Sequence, residues 1–314
     1  LHIIVSIFFM TFSFSQSLKD TVLQNDLNEV IVTATKTFRQ LSNLPLPAKL
    51  ISKNEIEKSS SSRLSDILDD QIGIFIVPDF GGANGIQIQG LDSQYTLILI
   101  DGYPLIGRQS GTLNLDRISI GNIDKIEIIK GSSSSLYGTD AIGGVINLIT
   151  SKSIDTISLD ISTKLSSYSS KEYDLKFGNI SKEAGVLNAY FNLNQSDGYD
   201  LNKSDLLKTV EPFKNFTGFL RYNFERENWS FFSSIRIFNQ EQDFKYNEED
   251  FGIISITENN LNSSFNYGIS DNLKFIIDNY YTQYNSDENY LNSSSIEESY
   301  FKQSLYKSEF RSIK

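Results

Sequence analysis

Side chains able to do covalent or acid–base chemistry are scarce in this 314-residue chain. It has no Cys, and its one His is His2, at the N-terminal edge. Beyond that edge, disulfides, thiolate zinc sites, cysteine nucleophiles, Ser-His-Asp triads and His-ligated haem are excluded. Gly131-Ser-Ser-Ser-Ser-Leu136 has the texture of a phosphate loop. It lacks the second Gly and the Lys-Ser/Thr pair that such a loop needs to hold phosphate and metal. No Gly-x-Ser-x-Gly elbow is present. Glu248-Glu249-Asp250 lacks the ligand spacing of a calcium loop and reads as a solvated loop. The formal net charge of -11 opposes binding to a phosphate backbone. The expectation is a protein that is not an enzyme, with no cofactor, no metal and no nucleic-acid partner.

What the residues can do is shape backbone. Residues 125–150 read KIEIIKGSSSSLYGTDAIGGVINLIT, two β-branched runs flanking a Gly/Ser-rich turn and a Gly-Gly step. Gly131, Gly138, Gly143 and Gly144 permit positive φ and close backbone approach. Tyr137 can pack its ring while its hydroxyl finds a partner, and Asn147 can bond locally. Upstream, residues 96–100 form a fully apolar strand ending at the turn Asp101-Gly102.

The elements that position these residues are short and mixed. Residues 48–51 read as a strand. Ser52 and Glu55 are spaced as a capping box opening a helix through Lys58. Residues 61–71 read as a second helix with Leu64, Ile67 and Leu68 on one face and Gly73 at its C-cap. Residues 74–77 form a strand ended by Pro78, and Ile86 and Ile88 alternate with Gln87 and Gln89 in another. This is an α+β globule.

After Ser153 the texture changes to alternating strands. Ile157, Leu159, Ile161 and Leu165 alternate with polar residues, as do Leu187, Ala189, Phe191 and Leu193. Trp229, Phe231, Ile235 and Ile237 share one parity, with Ser230, Ser234 and Arg236 on the other. Leu273, Phe275, Ile277 and Tyr281 continue the pattern, with turns such as 177–179 and polar loops such as 240–250 expected between strands. Strands of about ten residues with one apolar face and abundant aromatics are the signature of a transmembrane barrel; Tyr and Phe number 16 and 22 here.

The chain resembles TonB-dependent outer-membrane receptors. The family's run R-I-E-V-x-K/R-G-P-x-S-x-L-Y-G-x-x-A-x-G-G-V-I-N-I appears here in residues 125–131, Leu136-Tyr137-Gly138 and 141–147, and LILIDGYPL at 97–105 fits the same plug domain. Two positions depart. Ser132 stands where the family usually has Pro, which loosens the turn. Gln89 stands where Ile-Arg-Gly is usual, which puts in doubt an ion pair from that position to the barrel wall. The Asp140-Ala-Ile-Gly-Gly run is close to cobalamin-transporter plugs, but that segment does not read substrate.

The resemblance implies an α+β plug domain followed by antiparallel transmembrane β-barrel strands. The expected division is a signal peptide at 1–15, a periplasmic leader with TonB box at 16–35, a plug at 36–152 and the N-terminal portion of the barrel at 153–314. Residues 3–14 form an apolar core too short to span a bilayer as a helix, with small residues Ser13 and Ser15 at a cleavage site. The initiator Met and basic n-region are missing, which implies an unusual start codon or a clipped sequence. Glu29-Val30-Ile31-Val32-Thr33-Ala34-Thr35 is the expected TonB box, a strand that pairs with the TonB energy-coupling protein through main-chain hydrogen bonds. Residues 153–314 suffice for roughly eight strands. An open sheet of eight would leave unpaired edges in lipid, and a closed barrel of eight is filled by its own side chains, so a C-terminally truncated receptor is expected. The implied function is TonB-dependent active transport of a scarce ligand (iron-siderophore, haem or cobalamin) across the outer membrane of a Gram-negative bacterium. The alternative is a non-transporting ligand-binding or adhesive protein with a plug-like module. The expected ligand-facing positions are the loop tips 79–84 and 103–110, with Tyr103, Arg108 and Gln109 offering aromatic and polar contacts.

Overall fold

The computed structural model describes residues 30–31, 39–40, 47–78, 83–131, 137–151, 157–181, 183, 185–201, 208–245, 251–270, 273–291 and 296–313. Glu29, Val32, Thr33, Ala34 and Thr35, the expected signal segment, Ser132 and the acidic run 248–250 lie outside them. Val30–Ile31 (β1) pairs antiparallel with Arg39–Gln40 (β2).

The N-terminal globule is built on a five-stranded sheet of Ala48–Ser52 (β3), Thr96–Ile100 (β6), Tyr103–Pro104 (β7), Ile123–Lys130 (β8) and Gly144–Thr150 (β9), in the order β3-β8-β9-β6-β7. The β6–β9 pair is parallel and the others are antiparallel. Ile74–Pro78 (β4) and Asn84–Ile88 (β5) form a separate hairpin. Helix α1 (Lys53–Ser59) opens on the expected capping box, with Ser52 N–H donating to Glu55 at 2.7 Å. Helix α2 is shorter than the sequence suggests, Leu64–Asp69. The carboxylate of Asp66 accepts from the N–H groups of Ser62 and Arg63 and fixes its start there. Its C-cap is Asp70, and Gly73 (φ +75) serves the following turn instead. One face of the sheet, the two helices and the hairpin enclose the main core, including Leu64, Leu68, Ile88, Ile98, Ile126, Ile128 and Leu148.

The remaining strands form one sheet in chain order: Ser158–Leu165 (β10), Lys171–Ser181 (β11), Gly185–Ser196 (β12), Phe213–Glu225 (β13), Trp229–Lys245 (β14), Phe251–Ser270 (β15), Leu273–Leu291 (β16) and Ile296–Ile313 (β17). Every neighbour pair is antiparallel. Among the described residues, β10 and β17 are the sheet's two edges. Phe177, Gly178 and Asn179 lie within β11, paired to Ala189, Asn188 and Leu187, so no turn forms there. Residues 240–245 likewise extend β14, because the ladder continues on both sides: Gln242 faces Phe213 and Ile254.

The wall is inside out relative to a soluble sandwich. Leu159, Ile161, Phe191, Ile235, Ile237, Ile277 and Tyr281 point away from the globule and are exposed. Asn192, Thr217, Ser234, Glu258 and Thr282 point toward it and are buried. Connections at one end are short (182–184, 226–228, 271–272). At the other they include 197–212. In transmembrane barrels short turns lie on the periplasmic side and long loops outside, which orients the wall.

Candidate functional site at the plug–wall interface

The site is the contact between the globule and the wall. It begins at the turn after β6, where Asp101 (φ +50) and Gly102 (φ +87) are both left-handed, the geometry of a tight hairpin turn. The Asp101 carboxylate accepts from Thr150 N–H at 3.1 Å and Thr150 Oγ1 at 2.6 Å, and pairs with Arg221 of β13 at 2.7 Å. Arg221 also lies over the ring of Phe232 at 4.4 Å. Gly102 N–H donates to Asn147 Oδ1 at 2.9 Å, and Asn147 reaches Glu127 at 3.4 Å. Since β6 and β9 run parallel, this network gathers the ends of both strands where the chain leaves the globule.

From there residues 103–109 climb β16 in order. Tyr103 stacks on Tyr280 with centroids 5.0 Å apart, and the Tyr280 hydroxyl donates to the Pro104 carbonyl. Ile106 enters a wall pocket of Phe238, Ile256 and Tyr284. Gly107 (φ +85) sits so close to Tyr284 that a Cβ would be 2.3 Å from its ring. Gly107 N–H donates to Gln303 at 2.9 Å, and Gln109 Nε2 donates to Ser286 Oγ at 2.9 Å.

Beside this strap is a buried ionic cluster. Glu258 of β15 lies 3.1 Å from Arg236 of β14 and 3.8 Å from Arg117 of the globule. Arg236 donates to the Arg117 carbonyl at 3.1 Å, and Arg117 donates to the Ile106 carbonyl. On the β11–β12 side, Arg63 reaches Asn192 at 3.1 Å and Glu172 at 3.5 Å. The Tyr190 hydroxyl bridges Ser119 at 2.5 Å and Asp174 at 2.6 Å. Losing one partner from such a buried pair leaves an uncompensated charge, which costs about 3–5 kcal/mol.

Tyr103 is pushed well up by burial and by Asp278. Arg108 is lowered by burial. Asp116 is raised by burial against the opposing hydrogen bonds from Ser65 and Asn84. Tyr137 is pushed up to about 12 by burial and by Glu127.

The sequence-derived residues separate into different environments. Tyr137 packs on Leu97, Leu99, Ala141 and Val145, the small cluster on the second sheet face. Gly131, Gly138 and Gly144 have positive φ. A Cβ on Gly144 would meet the Ile129 carbonyl at 2.5 Å. Gly143 N–H donates to the Tyr95 carbonyl at 2.8 Å. The Arg108 guanidinium donates to the carbonyls of Ser93 at 2.7 Å and Thr96 at 2.6 Å, within the globule. Tyr103 and Gln109 face β16, toward its short-turn and long-loop ends respectively. Gln89 is solvent-exposed, with φ +51. The wall contacts run instead through Arg63, Arg117, Arg221, Arg236 and Glu258. Sequence reading left these unassigned, although Arg236 stands on the polar parity of its strand, a usable signal.

Comparison with known proteins agrees with this architecture. The TonB-dependent Receptor Plug Domain family model matches residues 40–145. The chain is 31% identical over 255 residues to the vitamin B12 transporter BtuB of Vibrio vulnificus (strain CMCP6), covering 81% of this chain and 39% of that protein. It is 26% identical over 229 residues to the BtuB of Vibrio cholerae serotype O1 (strain M66-2), covering 71% and 38%. Among solved structures, the ferric-catecholate import receptor Fiu of E. coli K12 aligns with TM-score 0.67 at 14% identity, over 91% of this chain and 48% of that one. The unliganded ferric citrate transporter FecA aligns with TM-score 0.68 at 17% identity, over 86% and 44%. At those identities the likeness is one of fold. The globule is a plug set against antiparallel barrel strands. The chain belongs to the family of TonB-dependent outer-membrane receptors, and it spans about two fifths of the length of the curated relatives it matches.

Proposed function

We propose that the chain serves TonB-dependent uptake of a scarce small molecule across the outer membrane of a Gram-negative bacterium, with a corrinoid as the first candidate cargo. The observation that carries this reading is a plug wedged by buried ion pairs against a wall whose other face is apolar, in a chain 31% identical to a vitamin B12 transporter. Ferric siderophores and haem are the next candidates, since receptors for ferric ligands share the fold.

In this reading Glu29, Val30, Ile31, Val32, Thr33, Ala34 and Thr35 form the strand that the TonB energy-coupling protein captures by β-augmentation. The ladder of β1 with β2 supports extended backbone at Val30 and Ile31. Outer-membrane lipid contacts the apolar face of the wall. Ligand meets the loop tip 79–84 and the long-loop end of 103–110, and Arg108 acts there by holding its loop on the Ser93 and Thr96 carbonyls.

The test is uptake of radiolabelled cyanocobalamin by cells carrying the protein. Val32→Pro removes a main-chain donor and is expected to abolish uptake while sparing surface binding. Uptake retained in that variant rejects the coupling strand. Binding without uptake in the parent protein selects the non-transporting alternative.

A further inference from the structure

We propose that the cleft on the second face of the plug sheet is the passage of the transported molecule, and that residues 101–109 are its gate. The proposal rests on the transport reading above and assigns it a route. The sheet is packed asymmetrically. One face lies under the main core, whereas the apolar cluster on the other is small, Leu97, Leu99, Ala141 and Val145 with Tyr137 over them. Between that second face and strands β13–β17 runs a cavity of about 670 Å³, the size that holds small-molecule ligands. It extends along β6, from Arg108 and Asp140 at one end to Asp101, Asp278 and Arg311 at the other. Because β6 runs from the long-loop side toward the network where the plug chain exits, the cleft joins the two sides of the plug.

Its lining defines the cargo chemistry. Tyr103, Tyr137, Phe232 and Tyr280 supply aromatic surface, and carboxylate and guanidinium groups stand at both ends. Such a surface suits an amphiphile with a flat conjugated body and a hydrogen-bonding rim.

Residues 101–109 close this cleft with two separable sets of bonds. The wall set is the Tyr103–Tyr280 stack, Ile106 in its pocket, and the hydrogen bonds of Gly107 and Gln109 to Gln303 and Ser286. The plug set includes Leu105 N–H to the Ile98 carbonyl at 3.0 Å and the Arg108 contacts. Left-handed glycines stand at 102 and 107, where the backbone can re-aim with little steric penalty. Among the described residues, no such strap crosses a second cavity of about 740 Å³ between α1 and strands β10–β13. Lys164 crosses its rim to the Ser60 carbonyl at 2.9 Å, and its lining is dominated by Ser, Asp and Lys.

The chain has no Cys, so an introduced thiol reports alone. Leu99→Cys places one in the cleft, to be labelled by a charged maleimide on intact cells. Adding Tyr103→Ala and Ile106→Ala, which frees the strap from the wall, is expected to speed labelling at least tenfold. Lys164→Ala, which loosens the other cavity, is expected to leave the rate unchanged. Equal labelling with and without the strap substitutions overturns the gate, as does equal acceleration by Lys164→Ala.

A second measurement keeps the test open if the freed strap prevents assembly. Tyr103→Cys with Tyr280→Cys, bridged by a short bis-methanethiosulfonate that joins the two thiols through disulfides and releases methanesulfinate, is expected to lower cyanocobalamin uptake at least tenfold relative to the same variant unbridged, and reduction of the disulfides restores it. Undiminished uptake after bridging overturns the passage. No uptake before bridging removes corrinoid transport itself, and the labelling rates then decide the gate separately.

Discussion

Buried charge is the strongest residue-scale statement this structure makes. Glu258 is fully buried between Arg117 and Arg236. Glu258→Gln leaves two guanidinium groups without a counter-charge, and stability is expected to fall by about 3–5 kcal/mol. Thermal unfolding in detergent measures this, and a wild-type midpoint rejects it. Asp116 gives a pH-dependent prediction. Its folded value is raised above the ordinary 3.8, so the folded protein holds this proton more tightly than the unfolded chain. Stability contributed by the protonated form is present below 3.8 and lost as pH rises through the raised folded value. Asp116→Asn is expected to flatten the melting-temperature profile on the acid side, just above the ordinary carboxylate value. An unchanged slope there counts against it.

At the scale of elements, the plug is fastened where strands end. The turn after β6 brings Asp101 to Thr150, the last residue of β9, and Arg221 binds both. Asp101→Asn and Arg221→Ala should therefore couple: in a double-mutant cycle the interaction energy is expected within about 0.5–3 kcal/mol. Strict additivity in thermal stability would show that the two anchor the plug independently. The sequence announced much of this element. The apolar run 96–100 followed by Asp-Gly made a strand and a tight turn legible, because local backbone preference decides both. Helix α2 was overestimated because Asp66 caps it from within, a choice that depends on one side chain's rotamer. The segment 177–179 looked like a turn through Gly178, but cross-strand pairing with 187–189 overrides a single glycine.

At the scale of the whole molecule, outward apolar and inward polar parity is what makes the wall a membrane sheet. Ile235 points out at mid-strand, and Ser234 faces the plug side, buried. Ile235→Arg is expected to destabilise the membrane-assembled state by about 2–4 kcal/mol, as a lipid-facing charge does near the bilayer midplane. Assembly into the outer membrane, read by protease resistance, should drop. Arg at Ile235 assembling as well as the parent would place that face in water.

The sequence by itself determined the two-part architecture, the exclusion of catalytic His and Cys chemistry, and which parity of β10, β12, β14 and β16 is apolar. These are properties of composition and short periodicity, and a strand's alternation survives whatever packs on it. The tertiary structure alone decided which charges meet. Arg63 finds Glu172, Arg117 finds Glu258, and Asp101 finds Arg221, each across more than a hundred positions of chain. No local spacing encodes such pairs. They exist because the plug docks in one register against the wall, and that register is set by the summed fit of Ile106, Gly107 and Tyr190 rather than by any motif.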